Sequence, residues 1–392
     1  MKKKLHILQL PSWYMPHGGQ FVRNQAQALI EKGLTVNVLA NIETSLRKDK
    51  LKYLTYPLQS KFTEEDGFVI YRNFLRVIPK FGKINIEMYV AKTLQMFKKY
   101  CEQFGAPDII HVHSAIWAGY AAAKIKEKYG VPYIITEHRG VFGLSCEYAK
   151  QYFLDCYLPY LKVAISNADY LTPVSANQIP MLSSFSKNSI PIRPVSNVIN
   201  TDFFYYKPRI HSSKKIKFVS VNGFRYVKGY DILLPAFDTA CEKNKDIEIT
   251  IVGENFEKRN FQKTLWKNVK NKDKFHFTGE LSADGVREEL WKADCYIMPS
   301  RSEGQPQATL EALCTGLPMV CTEVVPDNVA IKENSIRIPV ENIERMTNAI
   351  LNLSETYKSY DNKAISEYII GICGKEAFSK AIIDVYKQVL TK

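Results

Sequence analysis

The feature that most restricts the fold of this chain is a pattern that occurs twice: an apolar run, a turn-rich loop, a helix-periodic stretch and a second apolar run. Near the start it reads LHILQL, PSWYMPHGG, FVRNQAQALIEKG and LTVNVLA. In the second half it reads IKFVSVNGF, GYDILLPAFDTACEKN and IEITIVG. Short apolar runs suit buried strands, and the stretches between them repeat their apolar residues at helical spacing. Two strands joined through a helix lie parallel, with a right-handed crossover. Further strands are expected at PDIIHVHS, VPYIITEH, ADYLTPVS, KFHFTGEL and ADCYIMPS, with a helix over AAAKIKEKYG. The fold class is α/β, built as two Rossmann-like halves. Open parallel sheets bind ligands beyond the carboxyl ends of their strands, at helix N-termini. The cleft between two such domains is therefore the expected site.

Length agrees with two domains: 392 residues exceed one comfortable core and suit two of about 200 residues each. The joint is expected within 196–215, where SNVINTDFFYYKPRIHSSKKIK loses periodicity. This gives a first domain over 1–200, a second over 201–374, and a final helix over 375–392 returning towards the first. Charge is uneven. Residues 1–200 carry 25 Lys and Arg against 14 Asp and Glu, whereas residues 201–392 carry 28 against 26. A positive first half attracts phosphates or anionic lipid surfaces. Nucleic acid is disfavoured as a partner because no recognised module for it is visible. The eight cysteines form no CxxC pair, and several lie in apolar runs; reduced, buried thiols in a cytoplasmic protein are expected. The start MKKKLHILQLPSW is too short and broken an apolar run for a signal peptide, and no run reaches the ~20 residues of a membrane span.

The segment SEGQPQATLEAL, residues 302–313, concentrates the chemistry. It follows the strand CYIMPS and leads into a helix expected from Gln307, stopped by Gly316. Glu303, Gly304, Gln305 and Pro306 then form the loop at a strand's carboxyl end, where backbone amides meet an anion or a hydroxyl-rich ligand and the glycine permits close approach. Glu311 stands a turn inside the helix. An acid is favoured there by the helix dipole, yet it is poor core filling without a partner. A carboxylate accepts two hydroxyl hydrogen bonds at once, as a ribose diol would offer. One such Glu by itself is most often a solvated helix-start acid; the loop, helix and following LPMVCT together favour a site.

PSRSEGQPQATLEALCTGLPMV resembles the Glu-x7-Glu signature of retaining GT4-type glycosyltransferases, and the resemblance extends in order along nearly the whole chain. PSWYMPHGGQFVRNQAQAL is similar to the family's N-terminal glycine loop and helix, VPYIITEHRG to its central His segment, SNVINTDFF to its interdomain linker, and FVSVNGFRYVKGYDILLPAF with FTGEL to strands of its donor domain. The resemblance implies a GT-B fold, two Rossmann-like domains with parallel sheets facing across a cleft. It also implies transfer of a sugar, with retention, from a nucleotide-sugar donor to a hydroxyl of a glycan or lipid-linked acceptor. Glu311 would hold the ribose hydroxyls, and Glu303 the donor sugar, with the amides around Gly304, Gln305 and Pro306. Lys228 would neutralise the leaving diphosphate, a developing charge that a fixed cation stabilises strongly. Where the family usually has an Arg five residues before that Lys, this chain has Gly223; Arg225 is the candidate replacement, its guanidinium suited to bidentate phosphate contacts.

In the first half, His138 ends the strand YIITEH and by the resemblance would line the sugar pocket. His111 and His113 are candidates for the acceptor side, and an HxH pair is expected to point to opposite faces of its strand, against a metal site. Gly18 and Gly19 precede the first helix, and the amides near Gly19 would approach the diphosphate or the acceptor. No Asp-x-Asp triplet occurs, so a metal-independent reaction without a further cofactor is expected, by a front-side displacement that the resemblance implies. Residues 71–100 interleave Arg72, Arg76, Lys80 and Lys83 with Phe74, Val77, Ile78 and Phe81. That reads either as a helix pair with a solvated face or as a peripheral contact with an anionic membrane. The alternative functions are a nucleotide-sugar epimerase and an inactive nucleotide-binding protein that partners an active one.

Overall fold

The computed structural model describes residues 4–143, 157–186, 189–209, 214–253 and 260–391. The chain divides into two compact units, the first running to Val198 and including Lys375 onward, the second spanning Ile199–Gly374.

Among the described residues the first unit holds seven strands: β1 (His6–Pro11), β2 (Thr35–Thr44), β3 (Lys61–Glu65), β4 (Phe68–Arg76), β5 (Ile109–His113), β6 (Tyr133–Thr136) and β7 (Tyr170–Leu171). They lie in the order β3-β4-β2-β1-β5-β6-β7. Every pairing is parallel except β3 with β4. The period of two along β1 sends Ile7 to one face and Leu8 to the other. Ile7 meets Val22, Ala26 and Leu29 of the helix Gln20–Glu31; Leu8 joins Tyr89 and Phe97 of the helix Gly82–Phe104 and Ile125 of the helix Tyr120–Tyr129. Covering both faces is what demands apolar residues at consecutive positions.

The antiparallel edge was not among the expected strands. EEDGF joins β3 to β4 through Asp66 and Gly67, both at positive φ (54° and 80°), the two-residue hairpin turn that Asp-Gly favours. Residues 71–100 consequently form no helix pair: β4 continues to Arg76, and a single helix runs Gly82–Phe104. The final helix, Lys375–Leu390, buries Phe378, Ile382, Val385, Tyr386 and Val389 in the first unit's core. Its Ser379 Oγ donates to the Ala28 carbonyl at 3.1 Å.

The second unit holds β8 (Ile216–Val221), β9 (Ile247–Val252), β10 (Phe275–Gly279), β11 (Cys295–Met298), β12 (Met319–Thr322) and β13 (Ser335–Ile338), all parallel, in the order β10-β9-β8-β11-β12-β13. Counted from β8, this is the order 3-2-1-4-5-6 of dinucleotide-binding sheets, and connections leave in opposite directions on either side of the β8/β11 boundary. That boundary is the topological switch point. The loops that follow β8 and β11 are the two that carry Lys228 and Glu303.

The six described cysteines are free thiols, five of them buried; Cys314 and Cys373 share a thiol–thiol hydrogen bond at 4.0 Å between sulfurs rather than a disulfide. Cys146 and Cys156 lie outside the described residues. No described helix is long and apolar enough to cross a membrane.

Candidate active site

In the second unit, the loop after β8 turns through a short helical segment Tyr226–Lys228 into the helix Tyr230–Lys243. Gly229 makes the turn at φ 69°, and a Cβ there would stand 1.9 Å from the Pro299 carbonyl oxygen. Only glycine allows this helix start to press against the end of β11. The close approach brings Lys228 Nζ within 2.6 Å of Glu303 Oε1, their side chains 21% and 9% exposed. β11 ends at Met298, and after the loop through Pro306 the helix Gln307–Cys314 begins. Gly304, Gln305 and Pro306, in the loop between them, are all buried.

Glu311 is half-buried and shares a side of that helix with Gln307 and Ala308. Among the described residues no hydrogen bond or ion pair reaches its carboxylate. Burial pushes its pKa up from 4.5 to about 8. An acid with this environment and no protein partner is costly to keep, and such groups concentrate at functional sites.

Arg301, which sequence reasoning passed over, organises this corner. Only 4% exposed, it makes a two-pronged ion pair with Asp231 (2.7 and 2.6 Å) and reaches Glu341 at 2.7 Å. Its Nη1 also donates to the Tyr226 carbonyl at 2.7 Å, its guanidinium lies 3.9 Å from the Tyr226 ring centroid, and its backbone N–H donates to Val227. These carboxylates raise its pKa further despite the opposing effect of burial. Arg301 thus holds the segment that carries Lys228. The signal was present in the sequence as an Arg inside PSRSEG, but nothing in the spacing ties it to Asp231.

Arg225 is exposed and makes no ion pair among the described residues. A Cβ added at Gly223 would meet nothing within 4 Å, so open space surrounds the position where the resemblance expects an Arg.

In the first unit, Gly19 caps the helix Gln20–Glu31 at φ 89°, and a Cβ there would come 2.8 Å from the Trp13 carbonyl oxygen. His138 packs against Phe21, ring centroids 4.0 Å apart. Its Nδ1 meets Asn197 Oδ1 at 2.9 Å, and its Nε2 meets His113 Nδ1 at 3.1 Å. Burial lowers its pKa to about 3, against the opposing effect of the hydrogen bond it donates to Asn197 Oδ1. Both ring nitrogens are therefore occupied within this unit.

The expectation for His111 and His113 is corrected. Residues two apart on a strand share a face, and the two rings stack with centroids 4.4 Å apart. Neither lines a surface, since both are fully buried. His111 bonds Tyr386 (2.7 Å) and Thr136 (2.6 Å). No group of His, Cys, Asp and Glu among the described residues is arranged to hold a metal ion. Behind them Glu137, 1% exposed, accepts from Ser114 Oγ and from the N–H groups of Ala115, His138 and Arg139 at 2.8–3.0 Å. That buried carboxylate sets the shape of the loop around His138.

Two doubly wound sheets, the first parallel but for its β3 edge and the second with the Lys228 and Glu303 loops at its switch point, define a GT-B glycosyltransferase fold. Sucrose-phosphate synthase from Thermosynechococcus elongatus has the same fold, with a TM-score of 0.80 at 18% identity over 98% of this chain and 99% of that one. Residues 18–203 match the model of Glycosyltransferase Family 4, and residues 205–369 that of Glycosyl transferases group 1. The chain belongs to the GT4-type, group 1 glycosyltransferases. Among its relatives is TuaC of Bacillus subtilis, named for teichuronic acid biosynthesis, 27% identical over 80% of this chain and 79% of that protein. Another is WcaL of Escherichia coli, named for colanic acid biosynthesis, 23% identical over 95% of this chain and 94% of that protein.

Proposed function

We propose that this glycosyltransferase moves a sugar, with retention, from a nucleotide-diphosphate sugar to a hydroxyl of a glycan or lipid-linked acceptor in cell-envelope polysaccharide synthesis. The observation that carries the donor site is the half-buried Glu311 carboxyl, which has no protein partner among the described residues and lies on the helix entered through Glu303–Pro306. A ribose diol would supply the hydrogen bonds that the protein does not. Lys228 would exchange Glu303 for the diphosphate and stabilise the charge that develops as it leaves. Glu303, so released, would face the sugar hydroxyls, while the backbone N–H groups of Gly304 and Gln305 would bind those hydroxyls or a phosphate oxygen. Arg225 would add a bidentate phosphate contact. The reaction would need no metal and proceed at the front face, the departing diphosphate taking the acceptor proton. The relationship to TuaC and WcaL supports the envelope reading.

Thermal shift with UDP-, GDP-, ADP- and dTDP-sugars on the wild type and on Glu311→Ala tests this. A ligand at 100 times its Kd adds ~2.7 kcal/mol of stability. One nucleotide class stabilising the wild type but not the variant is expected. No shift with any of them would turn the assignment towards an inactive partner protein.

A further inference from the structure

The carboxyl ends of β2 and β4 are neighbours, with Thr44 in register with Arg76, so residues 45–60 and 77–84 leave the sheet side by side. These two stretches carry half of the chain's exposed large apolar side chains among the described residues, with Leu51 81%, Leu58 75%, Leu54 67%, Leu46 61% and Phe81 54% exposed. Between them stand Arg47, Lys50, Lys52, Lys80 and Lys83, all exposed and none in an ion pair among the described residues. Asp49 is the one acid in these two stretches, and it is buried.

The leucines do not face outward because the loop is slack. Asp49 accepts from the Ser45 N–H at 2.8 Å and from Tyr56 at 3.2 Å, and it also bonds His17. Tyr56 stacks on Phe74 with centroids 4.4 Å apart, and the Arg76 guanidinium lies 5.2 Å from the Tyr53 ring centroid. One side of the segment is tied down, and the other is left apolar and cationic. Of the residues the sequence offered for a membrane contact, Arg72 is instead paired with Glu65 at 3.0 Å and Phe74 is covered by Tyr56.

We propose that this face docks on a bilayer containing anionic phospholipid, the leucines and Phe81 entering the boundary between headgroups and acyl chains and the five cations meeting headgroup phosphates. A protein partner fits less well, because protein interfaces gather apolar residues in a core depleted of Lys. Here the two stretches hold five exposed cations along with the exposed apolar side chains, a mixture that a layer of phosphate above hydrocarbon satisfies in one plane. Each basic residue near such a surface contributes about a fivefold gain in partitioning, equivalent to ~1 kcal/mol. The His17–Asp49 contact joins this face to the loop that ends at Gly19, so docking seats the first unit's glycine loop beside the lipid surface. The proposal deepens the lipid-linked acceptor reading and rests on it only for the purpose of docking.

The test is co-sedimentation of the full chain with vesicles of phosphatidylcholine, with and without phosphatidylglycerol. Binding to the anionic vesicles alone is expected, weakening as salt screens the cations. Leu51→Ser/Leu54→Ser/Leu58→Ser and Lys50→Glu/Lys52→Glu should each lower it at least tenfold, and Lys332→Glu, on the second unit, should not. Equal binding to both vesicle types, no binding, or wild-type binding by the triple serine variant would overturn the proposal. So would a wild-type dimer in light scattering that the serine variant abolishes. The nucleotide-sugar thermal shift should be the same in all these variants; vesicle binding without any such shift would sink the transferase reading and leave the docking surface standing.

Discussion

Lys228 and Glu303 come from loops 75 residues apart in sequence and meet at 2.6 Å across the switch point of the second sheet. The pair neutralises both side chains. An anionic ligand therefore has to compete with Glu303 for Lys228, and winning that competition frees the carboxylate for the ligand's hydroxyls.

Lys228→Met should accordingly lower kcat by roughly 10²–10³-fold, the size of effect seen when one donor to a developing negative charge is removed. Glu303→Gln should raise KM for the sugar moiety more than it affects binding of the free nucleoside diphosphate, because Lys228 is then unopposed. Steady-state kinetics with the donor, set beside calorimetry with the nucleoside diphosphate, separates the two.

Open space around Gly223 allows a rescue experiment. Arg225→Ala should weaken donor binding by roughly 10–100-fold, the worth of a charge-assisted hydrogen bond of ~1.5–3 kcal/mol. Gly223→Arg in the same chain should recover most of that loss. Failure of Arg225→Ala to change donor KM would remove Arg225 from the site.

Arg301 is a matter of stability and position. Arg301→Met leaves Asp231, 15% exposed, without its partner in a largely buried place, a loss of about 3–5 kcal/mol by analogy with other broken buried pairs. Arg301→Lys should recover little of it, since an ammonium cannot reproduce the two-pronged contact. Urea unfolding of the three proteins reads this directly. At the level of function, kcat should fall in Arg301→Lys even where the chain remains folded, because the segment holding Lys228 is released.

Glu311 gives the second unit a pH dependence. Its folded-state pKa is raised from 4.5 to about 8 by burial, so the folded chain holds this proton more tightly than the unfolded one. The stability it contributes is fully present below pH 4.5 and is lost as pH rises through about 8. Glu311→Gln should flatten that slope and melt roughly 5 °C higher than the wild type at pH 8, with little difference at pH 4.5. A wild type and variant that melt in parallel across this range would show that the carboxyl ionises freely. Thermal denaturation at a series of pH values decides it.

The histidines of the first unit run the other way. Burial holds His111 and His138 at about 3, so protons bind the unfolded chain preferentially as pH falls below 6.5. Their contribution is present above that value and is lost as pH drops towards 3. His113→Asn removes one such group and should shift acid unfolding to lower pH, provided the chain keeps its neutral-pH melting temperature. The check is acid titration followed by circular dichroism.

How much of this was legible in advance differs by element. The repeated strand, loop and helix pattern announced both parallel sheets, because burial on two faces leaves a mark at consecutive positions. The Glu303–Glu311 segment was equally visible, its Gly and Pro breaking an otherwise continuous periodicity. The β3–β4 hairpin was missed although Asp66-Gly67 signalled it, since the basic and aromatic residues that follow suggested helix. The relation of His111 to His113 was read on the wrong face, and the exposed leucines at 46–58 passed without notice.

By itself the sequence determined what depends on neighbours along the chain: which segments are strands or helices, where glycine must turn the backbone, and which acids and cations stand in loops. Only the tertiary structure decided what depends on neighbours in space. It paired Lys228 with Glu303 and Arg301 with Asp231, stacked His113 between His111 and His138, left Glu311 without a partner among the described residues, and turned the leucines after β2 towards solvent. The reason is that electrostatic energy and burial fall off with distance through space, and in a doubly wound sheet the residues closest at a strand's end come from loops that the chain order keeps far apart.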